Sequence, residues 1–495
     1  GRGREVETDT HSAAASVGHR FSMWSLPMLG FAMVAGARLA TLGTPPQVMM
    51  CSRRAPDPRT LNQRIVKLTD PLDVLRLYDE YGHAYDEINL ATTWSRLGRA
   101  HGRSRSLILS QDGNCLHALR ERSMQGAGRW KARHLANTAH ALAKLHIRSE
   151  GWKGLWRVLA AASLRGLSKF DPQGLANTAW AFAAASHAAP ALLDAIAAMA
   201  ARRVGKFKPR ELCSMGWAFA TAGHAAPALL DAIAAEVAPR VGELDAQTLA
   251  STAWVFAKAG HAAPALFDVI AAETAPRVGE FNAQGLANIA WSFAATNTLS
   301  SAALMGVFGH DFGRRCDQLA EIYSEDEMSQ LHQWWLWYAL ERGQAAGLPS
   351  FDLLQRCRLI FSETSARQSQ LQRQVGRTLA SLELRPREEV LTDEGYSLDY
   401  VVEWRGQQVA IEVDGPSHFL GRKPNGATML KRRQLRHLGW HLVPIPYWEW
   451  NELANAHTKE VAKNRKLDTP GAVIPLPERR SAYIAGVIAR HVSAG

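Results

Sequence analysis

The pattern of apolar and polar positions changes character along the 495-residue chain. Between about residues 85 and 300, apolar residues recur at helical spacing. Leu175, Ala179 and Phe182, for example, fall on one face of a helix. From Leu398 onward, apolar residues alternate with polar ones, which is typical of short β-strands. The chain is too long for a single core, so we predict about two or three domains.

Four segments of the helical part align without gaps, and each carries a tryptophan at the same place. These tryptophans, spaced by 37 residues, are Trp180, Trp217, Trp254 and Trp291. A fixed period of this size is typical of stacked helical pairs, in which neither helix can bury its apolar surface alone. Drifted copies at 88–98 and 135–143 flank the series. We therefore predict a mostly α protein with an α-solenoid at residues 61–310, and we assign the tryptophans to its core.

The start of each helix can be predicted within one unit. Asp171 is suited to cap the first helix, and Pro172 is suited to its first turn. Pro190 then begins the second helix of the pair. The unit is therefore a helix, a short turn and a second helix, repeated with the same signals.

Two strand-like runs follow at residues 398–404 and 407–414, separated by Arg405 and Gly406. A two-residue turn that contains glycine is typical of a β-hairpin in which the flanking residues pair. A helix and a further strand, "WHLVPI", come next. The order of strand, strand, helix and strand predicts a small α/β domain, which we place at residues 386–455.

The register of this hairpin decides whether three acids meet. If Arg405 and Gly406 form the turn, Asp399 lies opposite Glu412. Asp414 then lies on the same face, because side chains alternate along a strand. Such carboxylates repel unless a shared proton, a cation or a divalent metal relieves their charge. A turn shifted by one residue keeps the acids together, whereas a three-residue loop separates them.

A basic helix is predicted after the acids. Its cations are Lys431, Arg432, Arg433 and Arg436. The chain carries a formal net charge of +11 and has a pI of about 9.6. This excess favours a polyanionic partner, with nucleic acid before an acidic membrane surface. The four cations are suited to contact phosphates, and the three acids are suited to hold a metal at a scissile bond.

Other features limit the domain plan and the protein class. The five cysteines lie far apart without paired spacing, which argues against a disulfide framework or a zinc site and favours a reducing compartment. Residues 1–60 include an apolar stretch broken by Pro27 and Arg38, so we predict a targeting presequence or disordered tail and no stable membrane insertion. We predict a helical connector at residues 311–385 and a C-terminal tail at residues 456–495.

The repeated motif, "LANTAWAFA" at 175–183, resembles the octotricopeptide repeats of algal organellar proteins, and its 37-residue period is closer still to their heptatricopeptide relatives. The resemblance implies a superhelix that contacts single-stranded RNA at roughly one nucleotide per unit. Candidate reading residues occupy equivalent places on the first helices: Asn177, Ser214, Ser251 and Asn288 in one series, and Gln173, Arg210, Gln247 and Gln284 in another. The alternative is that they are exposed polar residues or helix-terminus contacts. An α-solenoid can equally bind protein through its concave surface.

The C-terminal motifs resemble the RAP domain of organellar RNA proteins. They are "SLDYVV" at 397–402, "IEVDGPSHF" at 411–419 and "LKRRQLRHLGW" at 430–440, and they occur in this order. RAP domains are similar to the PD-(D/E)xK nuclease fold, so the resemblance implies a nuclease-like α/β fold for this part of the chain.

Under that resemblance, Asp399 is the first acid of the nuclease pattern and Glu412 the second. Asp414 stands where the pattern has a lysine. Either Lys431 or His418 supplies the missing group, or the domain binds RNA without cleaving it. Asp399, Glu412, Asp414 and Lys431 are thus catalytic candidates only for a nuclease, and the three acids are its metal ligands.

Together these features predict an organellar RNA-binding protein of the mitochondrion or plastid. The solenoid would bind a single-stranded segment of an organellar transcript, and the RAP-like domain would bind the phosphate backbone through the basic helix and His418. This binding would stabilise, process or expose the transcript for translation. No cofactor is required by this hypothesis. The first alternative is an endoribonuclease that uses Mg²⁺, and the second is a scaffold that binds protein partners in an RNA-processing or ribosome-assembly complex.

Overall fold

The computed structural model describes most of the chain after residue 54, namely residues 55–110, 114–298, 301–343, 347–363, 368–464 and 472–492. The predicted presequence or tail at 1–60 lies outside these residues except for its end, where residues 58–60 already belong to the first helix. The described chain is mostly helical, with a small sheet near the C terminus. No helix in this part of the chain is long and apolar enough to cross a membrane.

The repeat region is the name used here for the described residues between 58 and 307, most of which form helices. These helices are α1 (Pro58–Lys67), α2 (Pro71–Tyr81), α3 (Glu87–Leu97), α4 (Gly102–Ser110), α5 (Asn114–Gly126), α6 (Ala132–Lys144), α7 (Lys153–Arg165), α8 (Pro172–Ala184), α9 (Pro190–Ala201), α10 (Pro209–Ala222), α11 (Pro227–Val237), α12 (Ala246–Ala259), α13 (Pro264–Thr274), α14 (Ala283–Thr296) and α15 (Ser301–Val307).

Helices alternate in the repeat region as the 37-residue pattern predicts. The first helix of each unit packs against the first helices of its neighbours, so that α8 lies between α6 and α10, and α12 lies between α10 and α14. The predicted cap is present, because the Asp171 side chain accepts a hydrogen bond from the Gly174 amide at 2.7 Å. Pro190 begins α9, as predicted.

An arginine after each second helix ties its unit to the preceding one. Its guanidinium donates to the backbone carbonyl of a residue that lies just before the first helix of the same helical pair. For Arg203, which follows α9, this residue is Phe170, just before α8. The pairs lie 3.0–3.4 Å apart and repeat every 37 residues: Arg203 to Phe170, Arg240 to Phe207 and Arg277 to Leu244. The period is therefore maintained by polar contacts between units as well as by apolar packing.

The remaining helices and the strands follow the repeat region. The helices are α16 (His310–Gln318), α17 (Glu325–Trp337), which continues into a π-helical turn at Tyr338–Arg342, α18 (Phe351–Glu363), α19 (Gln370–Ser381), α20 (Gly426–His437), α21 (Tyr447–Asn464) and α22 (Leu476–Val492). The strands are β1 (Arg387–Leu391), β2 (Ser397–Trp404), β3 (Gln407–Asp414), β4 (Phe419–Leu420), β5 (Lys423–Pro424) and β6 (His441–Pro446).

The larger sheet has the strand order β1-β2-β3-β6. The first three strands are antiparallel, and β6 returns parallel to β3 after the crossover through α20. Strands β4 and β5 form a separate two-stranded ribbon. The predicted strand, strand, helix and strand are thus present, and β1 adds an edge strand that the sequence pattern did not predict.

One face of the larger sheet is covered by α19 and α22. Val375 and Leu379 on α19 join the same core as Ile484 and Val487 on α22. The C-terminal domain therefore extends from about residue 370 to residue 492 among the described residues. This differs from the predicted tail at 456–495, because the helical spacing of apolar residues in α22 provides a face that the sheet buries.

The other face of the sheet is covered by α20 and by the end of α17. Leu435 of α20 and Leu336 of α17 pack with Val401 and Ala410 of the hairpin. Since Ala410 lies two residues before Glu412, this is the face that carries the acids. The acid cluster consequently lies beneath a helix and is not on an open sheet surface.

Candidate nucleic-acid interface and its acid cluster

The β2–β3 hairpin has the register that its turn residues predict. Trp404 pairs with Gln407, and the strands stay in this register along the ladder. Between them, the backbone φ is 52° at Arg405 and 81° at Gly406. Two consecutive left-handed residues are what a type I′ turn requires, and this turn matches the twist of the strands. The prediction that the acids share one face rested on this register.

Asp399 lies on β2 next to Tyr400, the last residue of β2 that pairs with β3. Beyond this pair, a side-chain hydrogen bond joins the two strands. Asp399 Oδ2 accepts from the Val413 amide at 2.6 Å. Burial, and then the charge of Glu412, raise the pKa of the Asp399 carboxyl from 3.8 to about 7. This carboxyl therefore exchanges its proton near neutral pH, which relieves part of the repulsion between the acids.

Glu412 is the most central acid, and only 4% of its surface is exposed. Lys431 reaches it from α20, donating from Nζ to Glu412 Oε2 at 2.6 Å and to the Ser397 carbonyl at 2.9 Å. Burial alone would lower the pKa of Lys431, but the charges of Glu412 and Asp399 outweigh burial and raise it. The lysine therefore stays charged and neutralises the carboxylate.

Asp414 has two basic partners. Arg432 of α20 donates to its Oδ2, and His418 Nδ1 lies 3.1 Å from its Oδ1. Burial would raise the pKa of Asp414, but the hydrogen bond from His418 and the charge of Arg432 together lower it. Asp414 is therefore held as a carboxylate. The His418 side chain is 42% exposed and forms the solvent-facing edge of the cluster.

Asp399, Glu412 and Asp414 lie on one face of the sheet, as the hairpin register predicts. Lysine and arginine side chains of α20 form ion pairs with Glu412 and Asp414. Lys431 pairs with Glu412 Oε2, and Arg432 pairs with Asp414 Oδ2. The second oxygen of Glu412, Oε1, is buried without a hydrogen-bond partner in the described part of the chain. Among the described residues there is no group of three or more His, Cys, Asp or Glu side chains that could hold a metal ion. The donor set as arranged does not fit Mg²⁺, because the described residues bring no three ligating side chains together and because Lys431 and Arg432 already neutralise Glu412 and Asp414.

Most of the basic side chains of α20 contact other parts of the protein. Arg433 donates to the carbonyls of Ala294 and Ala295 at the end of α14, and from Nε to Glu341 at 2.8 Å. Lys431 and Arg432 are engaged with the acids, so three of the four predicted phosphate contacts have partners within the chain. Arg436 is the exposed member of the set and forms no ion pair with the described residues.

The predicted base-reading residues differ in exposure along the repeat region. Asn177 and Ser214 are half-buried, whereas Ser251 and Asn288 are only 5% and 6% exposed. The reason is that α17 and α20 pack against α14, and α20 also packs against α12. In the second series Gln173, Arg210 and Gln247 are exposed and Gln284 is half-buried. The first helices are thus accessible at α8 and α10 and covered at α14.

The repeated tryptophans mostly lie in the core, as predicted. Trp217, Trp254 and Trp291 are buried, while Trp180 is half-buried and stacks on Trp217 with ring centroids 6.1 Å apart. His140, which replaces tryptophan in the preceding unit, lies 4.9 Å from the Trp180 ring. These rings therefore join neighbouring units rather than standing free as stacking platforms.

A chain of hydrogen bonds joins the repeat region to the C-terminal domain. No local sequence pattern predicts these hydrogen bonds. Trp291 donates to the Gln333 side chain at 2.9 Å, and Gln333 donates to the Tyr396 hydroxyl at 3.0 Å. Tyr396 donates in turn to Gln434 of α20, which donates back to the Gln333 carbonyl at 2.7 Å. The partners lie up to about a hundred residues apart, so they become visible only in the fold.

Comparison with known proteins identifies the C-terminal region. A family model described as "RAP domain" matches residues 411–463. A "RAP domain-containing protein, chloroplastic" from Oryza sativa subsp. japonica is 41% identical over 88 residues, which is 17% of this chain and 13% of the rice protein. The chain thus aligns with a small part of that relative's length. The predicted RAP resemblance is confirmed: the chain carries a RAP domain at its C terminus.

Proposed function

We propose that this protein binds single-stranded RNA in an organelle and does not cleave it. The RAP domain match over residues 411–463 and the excess of positive charge support RNA as the partner. The observation that carries binding over cleavage is the occupation of Glu412 and Asp414 by Lys431 and Arg432. Carboxylates paired in this way have their charge compensated by cations of the chain, and the described residues hold no group of three ligating side chains for a metal.

In this proposal the repeat region is an α-solenoid, and its accessible first helices contact the RNA. Asn177 and Ser214 lie on the accessible part, so they remain candidate reading residues. Ser251 and Asn288 are buried near the C-terminal domain, which supports assigning them to packing. The RNA segment bound by the helices would therefore be shorter than the number of repeats implies.

We infer that the plastid is the favoured compartment. The support is the rice relative, whose name places it in the chloroplast, together with the organellar resemblance of the repeats. Fractionation of cells that express the full-length protein, with plastid and mitochondrial markers, tests this assignment. Enrichment with the mitochondrial marker would overturn it.

The test of the proposed function uses the purified protein and labelled single-stranded RNA. Binding is measured by fluorescence anisotropy in EDTA and again in Mg²⁺, and the RNA is recovered and sized after each titration. We expect equal affinity in both buffers and RNA of unchanged length. Absence of binding, or shortening of the RNA that depends on Mg²⁺, would overturn the proposal.

A metal-dependent endoribonuclease is the second candidate, and one arrangement favours it. Lys431 reaches Glu412 from α20, and Asp399 lies across the same hairpin, which brings two acids and a lysine together. A Glu412→Gln variant separates the candidates, because it would abolish cleavage by this site and leave RNA binding largely intact. Mg²⁺-dependent cleavage by the wild type that the variant loses would establish the enzyme.

A protein-binding scaffold in an RNA-processing or ribosome-assembly complex is the remaining alternative. It predicts weak RNA affinity with little dependence on salt. The RNA-binding proposal instead predicts an affinity that falls as salt rises, since phosphate contacts release counterions.

A further inference from the structure

The RAP domain meets the repeat region along a closely packed seam. The seam is defined here as the contact between residues 419–426 and the C-terminal ends of α10 and α12. A Cβ on Gly426 would lie 1.7 Å from the Ala257 carbonyl oxygen, so no larger residue fits there. A Cβ on Gly421 would lie 3.6 Å from the Ala225 Cβ. The two regions therefore touch through their backbones.

Lys258 lies on the repeat-region side of this seam. It follows Ala257 directly, and its backbone nitrogen is 3.5 Å from the position of a Cβ on Gly426. The residue is half-buried, and it forms no hydrogen bond or ion pair with any described residue. Burial alone lowers the pKa of its ammonium, with no nearby carboxylate to oppose the change. Binding of an anion beside this ammonium would offset the effect of burial and favour its charged form.

Lys423 lies on the RAP-domain side of the same seam. It precedes Pro424, whose carbonyl oxygen would lie 3.1 Å from a Cβ on Gly260, two residues after Lys258. Lys423 is exposed and has no ion-pair partner among the described residues, whereas its neighbour Arg422 is paired with Glu452 at 2.7 Å. The seam thus has an uncompensated lysine on each side.

The accessible face of the repeat region leads to these lysines. Lys258 lies 37 residues after Thr221, which is the exposed residue at the equivalent place on α10. Ser214 and Asn177 continue the same face toward the N terminus of the repeat region. A strand of RNA that follows the first helices would therefore reach the seam where α12 becomes covered.

We propose that the seam is a phosphodiester-binding site in which Lys258 and Lys423 contact the backbone of single-stranded RNA. This inference rests on the proposed function and goes beyond it, because it moves the phosphate contacts from the arginines of α20 to two lysines outside the predicted set. Phosphate is the fitting ligand, since each lysine is a point charge without a carboxylate partner and the accessible face of α8 and α10 leads to the seam.

The experiment compares Lys258→Gln, Lys423→Gln and the double variant with wild type in binding to labelled single-stranded RNA. Each lost phosphate contact should reduce the slope of log affinity against log salt by about 0.7, and the double variant by about 1.4. We expect the double variant to bind about tenfold or more weakly near 0.15 M salt. Equal urea-unfolding midpoints for all variants would show that folding is unchanged.

The matched control is Lys206→Gln, which removes the same charge from an exposed lysine beside the N-terminal end of α10, away from the seam. It should leave affinity and salt slope unchanged. Loss of affinity in the seam variants alone supports the site. If all variants bind RNA like wild type, the seam is not a phosphate site although RNA binding stands. If wild type does not bind RNA, the proposed function fails; binding of a protein partner that these variants lose would then assign the seam to that partner.

Discussion

The repeat region and the C-terminal domain use their positive charges in contrasting ways. In the repeat region, Arg277 donates to the carbonyl of Leu244, 33 residues earlier, and the contact recurs in each full unit. In the C-terminal domain, Arg433 reaches Ala294 across 139 residues, and Lys431 neutralises a buried carboxylate. In both regions arginines and lysines hold the fold together. A basic residue in either region is therefore not by itself a candidate for RNA contact, and its partners within the chain decide whether it can contact RNA.

The largest effect is expected when the central charge pair of the C-terminal domain is broken. Lys431→Met removes the ammonium and leaves Glu412 buried without a counter-charge. Such a loss costs about 3–5 kcal/mol in the free energy of unfolding. Urea unfolding followed by tryptophan fluorescence measures it.

The control for this pair is the double variant Lys431→Met with Glu412→Gln. It removes both charges and should recover most of the lost stability, because no unpaired charge stays buried. Equal destabilisation by the single and double variants would mean that the pair is not coupled in the way described.

The junction between the two regions is tested with two arginines on one helix. Arg433→Ala leaves the Glu341 side chain, which is 5% exposed, without its guanidinium partner, and should cost about 2–4 kcal/mol. Arg436→Ala, on the exposed side of α20, should change the free energy of unfolding by less than about 0.5 kcal/mol.

Hydrogen exchange of the amides in α14 and α20 locates the effect of Arg433→Ala. Faster exchange confined to the junction is expected, since the two regions would open there first. Similar losses in Arg433→Ala and Arg436→Ala would contradict the contrast between internal and exposed cations.

The acid cluster should make stability depend on pH. The pKa of Asp399 is raised from 3.8 to about 7, so the folded state holds this proton more tightly than the unfolded chain does. Its contribution is full at low pH and is lost as the pH rises through about 4 to 7. Between pH 5 and pH 8 the loss is about 2–3 kcal/mol.

Asp399→Asn isolates this effect because the amide can still accept from the Val413 amide. The variant should show a flatter dependence of unfolding free energy on pH and should exceed wild type in stability at pH 8. Parallel pH profiles for wild type and variant, measured by urea unfolding, would assign the dependence to other groups.

The smallest effect is expected within the repeat region. Arg203→Ala removes the charge-assisted contact of the guanidinium with the Phe170 carbonyl, at a cost of about 1–2 kcal/mol. Arg202→Ala, an exposed arginine at the end of α9, is the matched control and should be close to neutral. Equal losses of unfolding free energy in the two variants would show that the repeated arginine does not stabilise the contact between units.

The contrast also explains which features could be predicted from the sequence. The 37-residue period and the hairpin register were predictable, because each depends on local residues such as Pro190, Arg405 and Gly406. The destination of Arg433 was not, since Glu341 lies 92 residues away and no local pattern marks it. The burial of Ser251 and Asn288 was not predictable for the same reason, because the helices that cover them, α17 and α20, are distant in sequence.

The C-terminal helix shows a different limit. Within the predicted tail at 456–495, Ile484, Val487 and Ile488 have the apolar spacing of the repeat helices and lie on the buried face of α22. The core it joins includes residues about a hundred positions earlier, such as Val375.

The central claim is that the protein binds single-stranded RNA through phosphate contacts without cleaving it. The most direct test is a titration of labelled RNA with wild-type protein, in EDTA and again in Mg²⁺, at several salt concentrations between about 50 and 300 mM. We expect log affinity to fall linearly with log salt and the RNA to be recovered intact in both buffers. An affinity that does not change with salt, or no measurable binding, would contradict this claim.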